Sequence, residues 1–348
     1  MLAASRISES LQHTSITSEQ VKTLISPPIY VASAPMFVYP SRLISAWEPR
    51  TIQVDLPKET KQGVEVKVAI RRGSTQSLGI DSRNILKQFY KQFTAPIDLG
   101  EEYIHDYRYE TDGNIAHLLT IAAARVLFIQ KTFPNIDRVT VVLRENASTM
   151  AKKVFGLLGI PVLCTDRDVK GNLVTFKETT SGSLEGFYTE FFGNLAFDGY
   201  IQDTPERVFI SRKGKRSLIN EVDVEAVLKE YGFVKYYYED IPISQQWSIS
   251  RNAKVIVAMH GAALASLAFN PNHVKVLEFF HPGYVVDMYR NTVGAIDGTW
   301  CGAIGRIEPD VIKYLDYKKQ ARHFALSRTQ IDLDCLRMGL EHLGIEKS

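Results

Sequence analysis

The sequence predicts an α/β protein in two halves, the second a parallel, nucleotide-binding sheet, and three observations lead there. Residues 253–259 are mostly apolar and partly β-branched, too short for a free-standing helix and suited to a strand buried on both faces. Strand-like and helix-like segments alternate from 207 to 280, the pattern of a right-handed parallel unit. Between the last two strands stands a turn of small residues, Gly261, Ala262 and Ala263, preceded by His260.

Composition bounds the class. The chain has 348 residues, 45% of them hydrophobic and 23% charged, which suits a globular protein of two domains. A net charge of +2 excludes a dedicated nucleic-acid binder, which carries a clustered basic excess. Cys164, Cys301 and Cys335 form no C-x-x-C pair, which argues against a zinc site or a disulfide framework and for a reducing compartment. The first 23 residues lack the apolar core of a signal peptide, and no run reaches the length of a membrane span. The expected address is therefore the cytoplasm, free or at the inner face of a membrane.

In the first half, residues 19–25 read as helical, and a proline-punctuated stretch to Pro57 permits only short extended pieces. Residues 64–70 alternate as a half-buried strand, and 82–93 read as an amphipathic helix. Residues 103–112 interleave aromatic and charged side chains as a strand or loop, a surface able to stack a sugar ring. Asp112-Gly113-Asn114 then caps a helix over 115–131 that is apolar nearly all round and so buried. His117 sits in its first turn, where burial and the positive end of the dipole favour the neutral imidazole. It is thus either a general base or a hydrogen-bonded core histidine. A strand at 138–143, a helix at 149–158 stopped by Gly159 and a strand at 161–165 follow. Asp166-Arg167-Asp168 and Asp332-Leu333-Asp334 have the D-x-D form of some metal sites, but with no other oxygen ligand near them they read as turns or caps. Residues 170–199, rich in Gly, Thr and Ser, read as the crossing between halves.

The second half carries the chemistry. Residues 208–211 form a short buried strand, so Arg212 emerges at its carboxyl end, followed by Lys213, Lys215 and Arg216. Such a cationic cluster suits a diphosphate, with Arg212 placed for a bidentate grip. Asn220 caps a helix to Tyr231, Gly232 stops it, and 234–238 is the next strand. A helix from Ser244 to Asn252, containing Ser250, feeds strand 253–259. The turn at His260 to Ala263 opens a short helix to Phe269 whose free N–H groups suit an anion, although His260 could equally be a satisfied structural histidine. Asn270-Pro271-Asn272 turns the chain into strand 274–280, where Glu278 is placed to take two hydrogen bonds from a ribose diol. Residues 292–305 read as loop and short strand, 318–324 as basic, and 333–343 as a terminal amphipathic helix that packs back across the first half.

These residues, in this order, resemble the glycosyltransferase 61 family, which contains plant xylosyltransferases, protein O-linked N-acetylglucosaminyltransferases and microbial capsular-polysaccharide proteins. The similarity runs from Arg207 to Pro282: Ile210-Ser211-Arg212 after a strand, the helix ending in Tyr231-Gly232-Phe233, Glu239-Asp240, the His-Gly-Ala turn, Asn270-Pro271 and Glu278. Gly113 to Leu119 resembles the family's Asn-x-x-His motif, with Leu118 where an aromatic residue is usual and Ile121 where an acidic one is. The family turn is commonly HGAGLTN; here Ala263, Ala265 and Ser266 occupy its variable positions.

The resemblance implies a GT-B fold, two Rossmann-like domains facing a cleft: an acceptor-side domain over 1–195, a nucleotide-sugar domain over 196–320 and a terminal helix over 321–348. It implies an inverting, metal-independent glycosyltransferase without cofactor, with a nucleotide-sugar, UDP-linked first, as co-substrate and a glycan, lipid-linked glycan or other glycoconjugate as acceptor. Arg212, Lys213, Ser250, His260, Gly261, Ala262, Ala263, Asn270 and Glu278 are the donor-binding candidates, and His117 followed by Asp112 the candidate bases. A nucleotide-sugar epimerase on the same fold and a non-catalytic glycan-binding protein remain as alternatives. Peripheral membrane association is compatible with the sequence; nucleic acid is excluded as a partner.

Overall fold

The structure, a computed structural model, describes residues 7–16, 21–23, 52–55, 61–75, 95–178, 192–271, 273–281, 284–286, 288–307 and 326–348. In chain order come β1 (Ile7–Ile16), β2 (Val21–Thr23), β3 (Ile52–Asp55), β4 (Lys61–Ser74) and β5 (Ile97–Asp106). The helical stretch α1 (Ile115–Thr132) leads to β6 (Val139–Leu143), α2 (Thr149–Leu157), β7 (Val162–Cys164) and β8 (Val169–Glu178). Then follow β9 (Arg207–Ser211), α3 (Glu221–Glu230), β10 (Val234–Tyr237), α4 (Ile243–Asn252), β11 (Val255–Met259), a 3-10 helix (Ala262–Phe269) and β12 (Lys275–Phe280). The chain closes with α5 (Met288–Ala295), β13 (Thr299–Ile304), β14 (Arg306–Ile307), β15 (Thr329–Gln330) and α6 (Leu333–His342).

The chain divides into two units: unit 1 is Met1–Thr14, Gly63–Phe191 and Leu195–Asp198, and unit 2 is Ser15–Gln62, Phe192–Asn194 and Gly199–Ser348. Each holds a sheet rich in parallel pairs, so the α/β class stands. The sheet containing β8, β5, β6 and β7 has the order β1-β4-β8-β5-β6-β7, with β8, β5, β6 and β7 mutually parallel and β4 antiparallel to β8. Asn114 starts α1 by accepting from the Ala116 N–H at 2.9 Å. The stretch is not one uniform α-helix as expected, because Leu118–Ala123 widens into a π-helical segment. Among the described residues α1 is long and apolar enough to cross a membrane, contrary to the sequence reading, yet Leu118, Leu119, Ala122, Ala123, Phe128 and Ile129 are all buried within the protein.

Unit 2 has the order β10-β9-β11-β12-β13-β3-β2. The first five strands are parallel; β3 and β2 add antiparallel to the edge. Renumbered from β9, the parallel part reads 2-1-3-4-5, a doubly wound order whose direction reverses between β9 and β11. Alternate residues Phe209, Val257, Met259, Leu277, Phe279, Cys301 and Ala303 share one core with Val224, Val227 and Leu228 of α3 and Cys335, Leu336 and Leu340 of α6. The other face includes Trp247 of α4, stacked on Phe269 at 4.6 Å.

Several expectations are corrected. The terminal helix was expected to pack back across the first half, and the part of that half it meets is β3, at the edge of the unit 2 sheet. The helix joins the core of unit 2, and Gly339 lets it lie against Leu277, since a Cβ there would come within 2.8 Å of that side chain. Helix was expected at 19–25; β-branched Val21 and Thr23 instead pair with β3 as a strand. The supposed crossing at 170–199 begins with β8, whose Val169 and Leu173 are buried and which pairs with both β4 and β5. The expected helix at 82–93, the crossing beyond residue 178 as far as 191 and the basic stretch at 318–324 lie outside the described residues.

Candidate functional site

Open α/β sheets bind ligands outside the carboxyl ends of their strands where the strand order reverses, because there the two neighbouring loops part and leave a crevice. In unit 2 that place lies between β9 and β11. Ala258 pairs with Ile210, so Arg212 and His260 leave the sheet side by side. Arg212 Nη1 donates to the His260 carbonyl at 3.0 Å. Gly261 makes this approach possible, since a Cβ would collide with the guanidinium.

A second arginine stands nearby. Arg216 has φ +57°, a left-handed conformation costly for a side chain with a Cβ, and its guanidinium lies 4.5 Å above the Tyr284 ring. Arg212 Nε and Arg216 Nε and Nη1 are buried with no hydrogen-bond partner among the described residues. Buried donors left open are costly, and costlier on a cation. Burial lowers the Arg212 pKa, against the pull of Glu239. Burial, and then the neighbouring Arg212, hold Arg216 down to about 10. Both therefore favour an arriving anion.

His260 is 4% exposed, stacked on Phe280 at 5.1 Å and flanked by the rings of Tyr284 and Tyr289, each 5.4 Å away. Its Nδ1 lies 2.6 Å from Glu278 Oε1. Burial lowers its pKa despite this carboxylate, with Arg216 and Arg212 pushing the same way. His281, one residue past β12, bonds through Nε2 to Ser327 Oγ at 2.9 Å and is held near 3 by burial and by Arg216.

Glu278, expected to face a ribose, is turned into the protein. It has no exposed surface, and its second oxygen accepts from Trp300 Nε1 at 2.9 Å. Asn270 is likewise internal: its amide donates to the Ser250 and Ala253 carbonyls, both at 2.7 Å, tying the 3-10 helix to the end of α4. Ser250 lies in a hydroxyl chain in which Tyr238 OH is 2.8 Å from Ser250 Oγ, Ser250 Oγ 2.6 Å from Ser266 Oγ, and Ser266 donates to the Ala263 carbonyl at 2.6 Å. That chain braces the turn, and both Asn270 and Ser250 are buried within it. Lys213 is exposed and paired with Asp240. Ala262 and Ala263, half-buried, open the 3-10 helix beside Gly261. Arg212, His260 and Gly261 are thus brought together, with Glu278 behind them. Trp300, Tyr284 and Tyr289 carried no signal in the sequence, and Arg216 was visible only as one of four cations in a run.

In unit 1, His117 ends the first α-helical turn of α1, half-buried, its carbonyl 3.5 Å from the Tyr107 hydroxyl. Asp112 accepts from the Ser148 N–H at 2.7 Å, and its own carbonyl accepts from Ser148 Oγ at 2.5 Å. This carboxylate therefore holds the start of α2 in place. Asp332 accepts from the Asp334 and Cys335 N–H groups as the N-cap of α6, and Asp168 is buried near Thr75, so both D-x-D pairs do structural work.

A doubly wound sheet with a pair of half-buried cations at its reversal point defines an α/β protein whose crevice offers charge complementary to an anion. The chain belongs to the glycosyltransferase 61 family, whose profile matches residues 33–277. A Drosophila melanogaster protein named EGF domain-specific O-linked N-acetylglucosamine transferase is 34% identical over 77 residues, covering 21% of this chain and 15% of that protein. The Gallus gallus protein of the same name is 24% identical over 195 residues, 54% of this chain and 32% of its own length. The chain spans about a third or less of the length of these relatives.

Proposed function

We propose that this chain is an inverting glycosyltransferase whose unit 2 binds a nucleotide-sugar through its diphosphate. The observation that carries the reading is the pair of half-buried arginines, Arg212 and Arg216, at the sheet's reversal point, whose buried Nε and Nη1 donors have no partner among the described residues. Negative charge grows on the diphosphate as the glycosidic bond breaks, and donors already fixed in a dry site stabilise it more than water does. The two guanidiniums and the backbone N–H groups at Gly261 to Ala263 supply that charge complement, which makes a metal unnecessary. UDP-N-acetylglucosamine is the donor to test first, because the named relatives are N-acetylglucosamine transferases. The acceptor is a hydroxyl of a glycan or glycoconjugate.

The GT-B arrangement implied by the family assigns the acceptor to unit 1. The proposed base there is His117; Asp112 is the weaker candidate, because its carboxylate is engaged at Ser148. A base of this kind contributes roughly 10²–10⁴-fold in rate. Thermal-shift screening of the full chain against UDP, GDP and CMP tests the reading, since a ligand at about 100 times its Kd stabilises by about 2.7 kcal/mol. UDP should raise Tm in the wild type and have little effect on Arg212→Ala. Equal shifts in the two would remove the arginine from the site.

A further inference from the structure

Glu278 occupies the sheet face shared by Phe280 and Trp300, buried in full. The Trp300 indole can only donate, so its bond to Oε2 fixes that oxygen as an acceptor. The 2.6 Å contact between Oε1 and His260 Nδ1 places one shared proton between carboxylate and imidazole. Nε2 is then the edge of the ring with no hydrogen-bond partner among the described residues. The ring is walled by Phe280, Tyr284 and Tyr289. The charged groups that bear on it are Glu278 of β12, Arg212 at the end of β9 and Arg216 in the loop beyond. Without a ligand the two arginines oppose a proton on Nε2, while the buried carboxylate behind the ring favours one. An anion on the arginines would cancel the opposition and leave the carboxylate's pull.

Resting on the reading that a diphosphate occupies the arginine pair, we infer that His260 takes up a proton as that diphosphate binds and donates it from Nε2 to a phosphate oxygen. Glu278 and Trp300 are the positioning residues. The balance is one proton drawn from solvent for each diphosphate bound, with no bond made or broken in the ligand. Glu278 holds the tautomer with hydrogen on Nδ1, so Nε2 is the basic atom, and it becomes the counter-charge of the imidazolium once formed.

The variant Glu278→Gln separates this role from mere packing. Trp300 and His260 meet different carboxylate oxygens, and glutamine keeps only one of them; with Trp300 on that oxygen, the amide N–H faces Nδ1 and turns the ring to the Nε2–H tautomer. Such a ring still donates to phosphate but takes up no proton.

The experiment is calorimetric titration of the full chain with UDP between about pH 8 and 7, in buffers of different ionisation heat. A phosphate's second ionisation lies near pH 6, so UDP itself changes little in this range. The wild type should take up protons, and its affinity should rise as pH falls, by at most about tenfold per pH unit, the limit for one linked proton. His260→Asn and Glu278→Gln should bind UDP with no net uptake and a flat pH profile, their melting curves establishing that they fold; if the asparagine variant does not fold, Glu278→Gln decides alone. Uptake equal to wild type in the folded variant, or a wild type that binds UDP without uptake, overturns the inference and leaves the arginine site standing. A wild type that binds no UDP overturns both.

Discussion

At the scale of single residues, the site is held in a costly state that a ligand would relieve. Arg216 is held down to about 10 by burial and by Arg212, which at about 1.4 kcal/mol per pH unit costs the ligand-free protein ~3 kcal/mol at neutral pH. Its stacking on Tyr284 returns about 1–2 kcal/mol. Arg216→Met should therefore raise the stability of the free protein by about 1–2 kcal/mol in urea titrations while weakening UDP binding tenfold or more. A variant that lost stability and kept its affinity would show that the arginine serves the fold alone. Gly261 makes the complementary case: in Gly261→Ala the new methyl displaces the Arg212 guanidinium, and UDP affinity should fall about tenfold, or 1.4 kcal/mol. Unchanged affinity would mean that Arg212 grips nothing from its present position.

At the scale of elements, the buried polar residues around the turn hold helices and strands together. Asn270→Ala removes the amide donor from the Ser250 and Ala253 carbonyls, which should cost about 2–6 kcal/mol in a urea titration, at about 1–3 kcal/mol per unsatisfied group. The UDP affinity of the folded fraction should not change; a loss of affinity with full stability would return Asn270 to the binding site. The same elements show what a sequence discloses. Strands β9, β11 and β12 were legible because each is a short apolar run whose end is marked by a charged or small residue, and Arg212 and His260 follow directly from those ends. Glu278 was legible as a carboxylate near a strand end but not in its role, because its partner Trp300 lies 22 residues away and is fixed only by the register of β12 on β13. Asn220 precedes α3 as expected, yet its amide bonds the backbone of Ile331, 111 residues on, a pairing no local pattern encodes. Strands β2 and β8 were missed for the same reason: polar residues are common in them, and only distant partners make them strands.

At the scale of the whole molecule, each unit buries a histidine as the neutral base, and acid should therefore act on both. His105 of unit 1 is held near 4 by burial and by Arg125, and its ring meets Phe176 edge-on at 5.5 Å. His281 of unit 2 is held near 3, and His260 is lowered in the same direction. In the unfolded chain all three titrate near 6.5. Their folded pKa values are depressed, so the stability they contribute is complete above pH 6.5. It is lost as pH falls, from 6.5 toward 4 for His105 and toward 3 for His281, because only the unfolded chain takes up the protons. By pH 4 each of these two would have cost ~3 kcal/mol, a large share of the roughly 5–15 kcal/mol that holds a domain. The exposed pairs Lys213–Asp240 and Lys254–Glu206 add little at any pH and cannot mask the effect. Urea midpoints should therefore be level from about pH 8 to 6.5 and fall steeply between 6.5 and 4.5. His281→Gln should flatten that fall for the transition of unit 2 and leave unit 1 acid-sensitive, whereas His105→Gln should do the reverse. Midpoints that stay level to pH 4.5 would mean that these imidazoles are not held neutral by their surroundings.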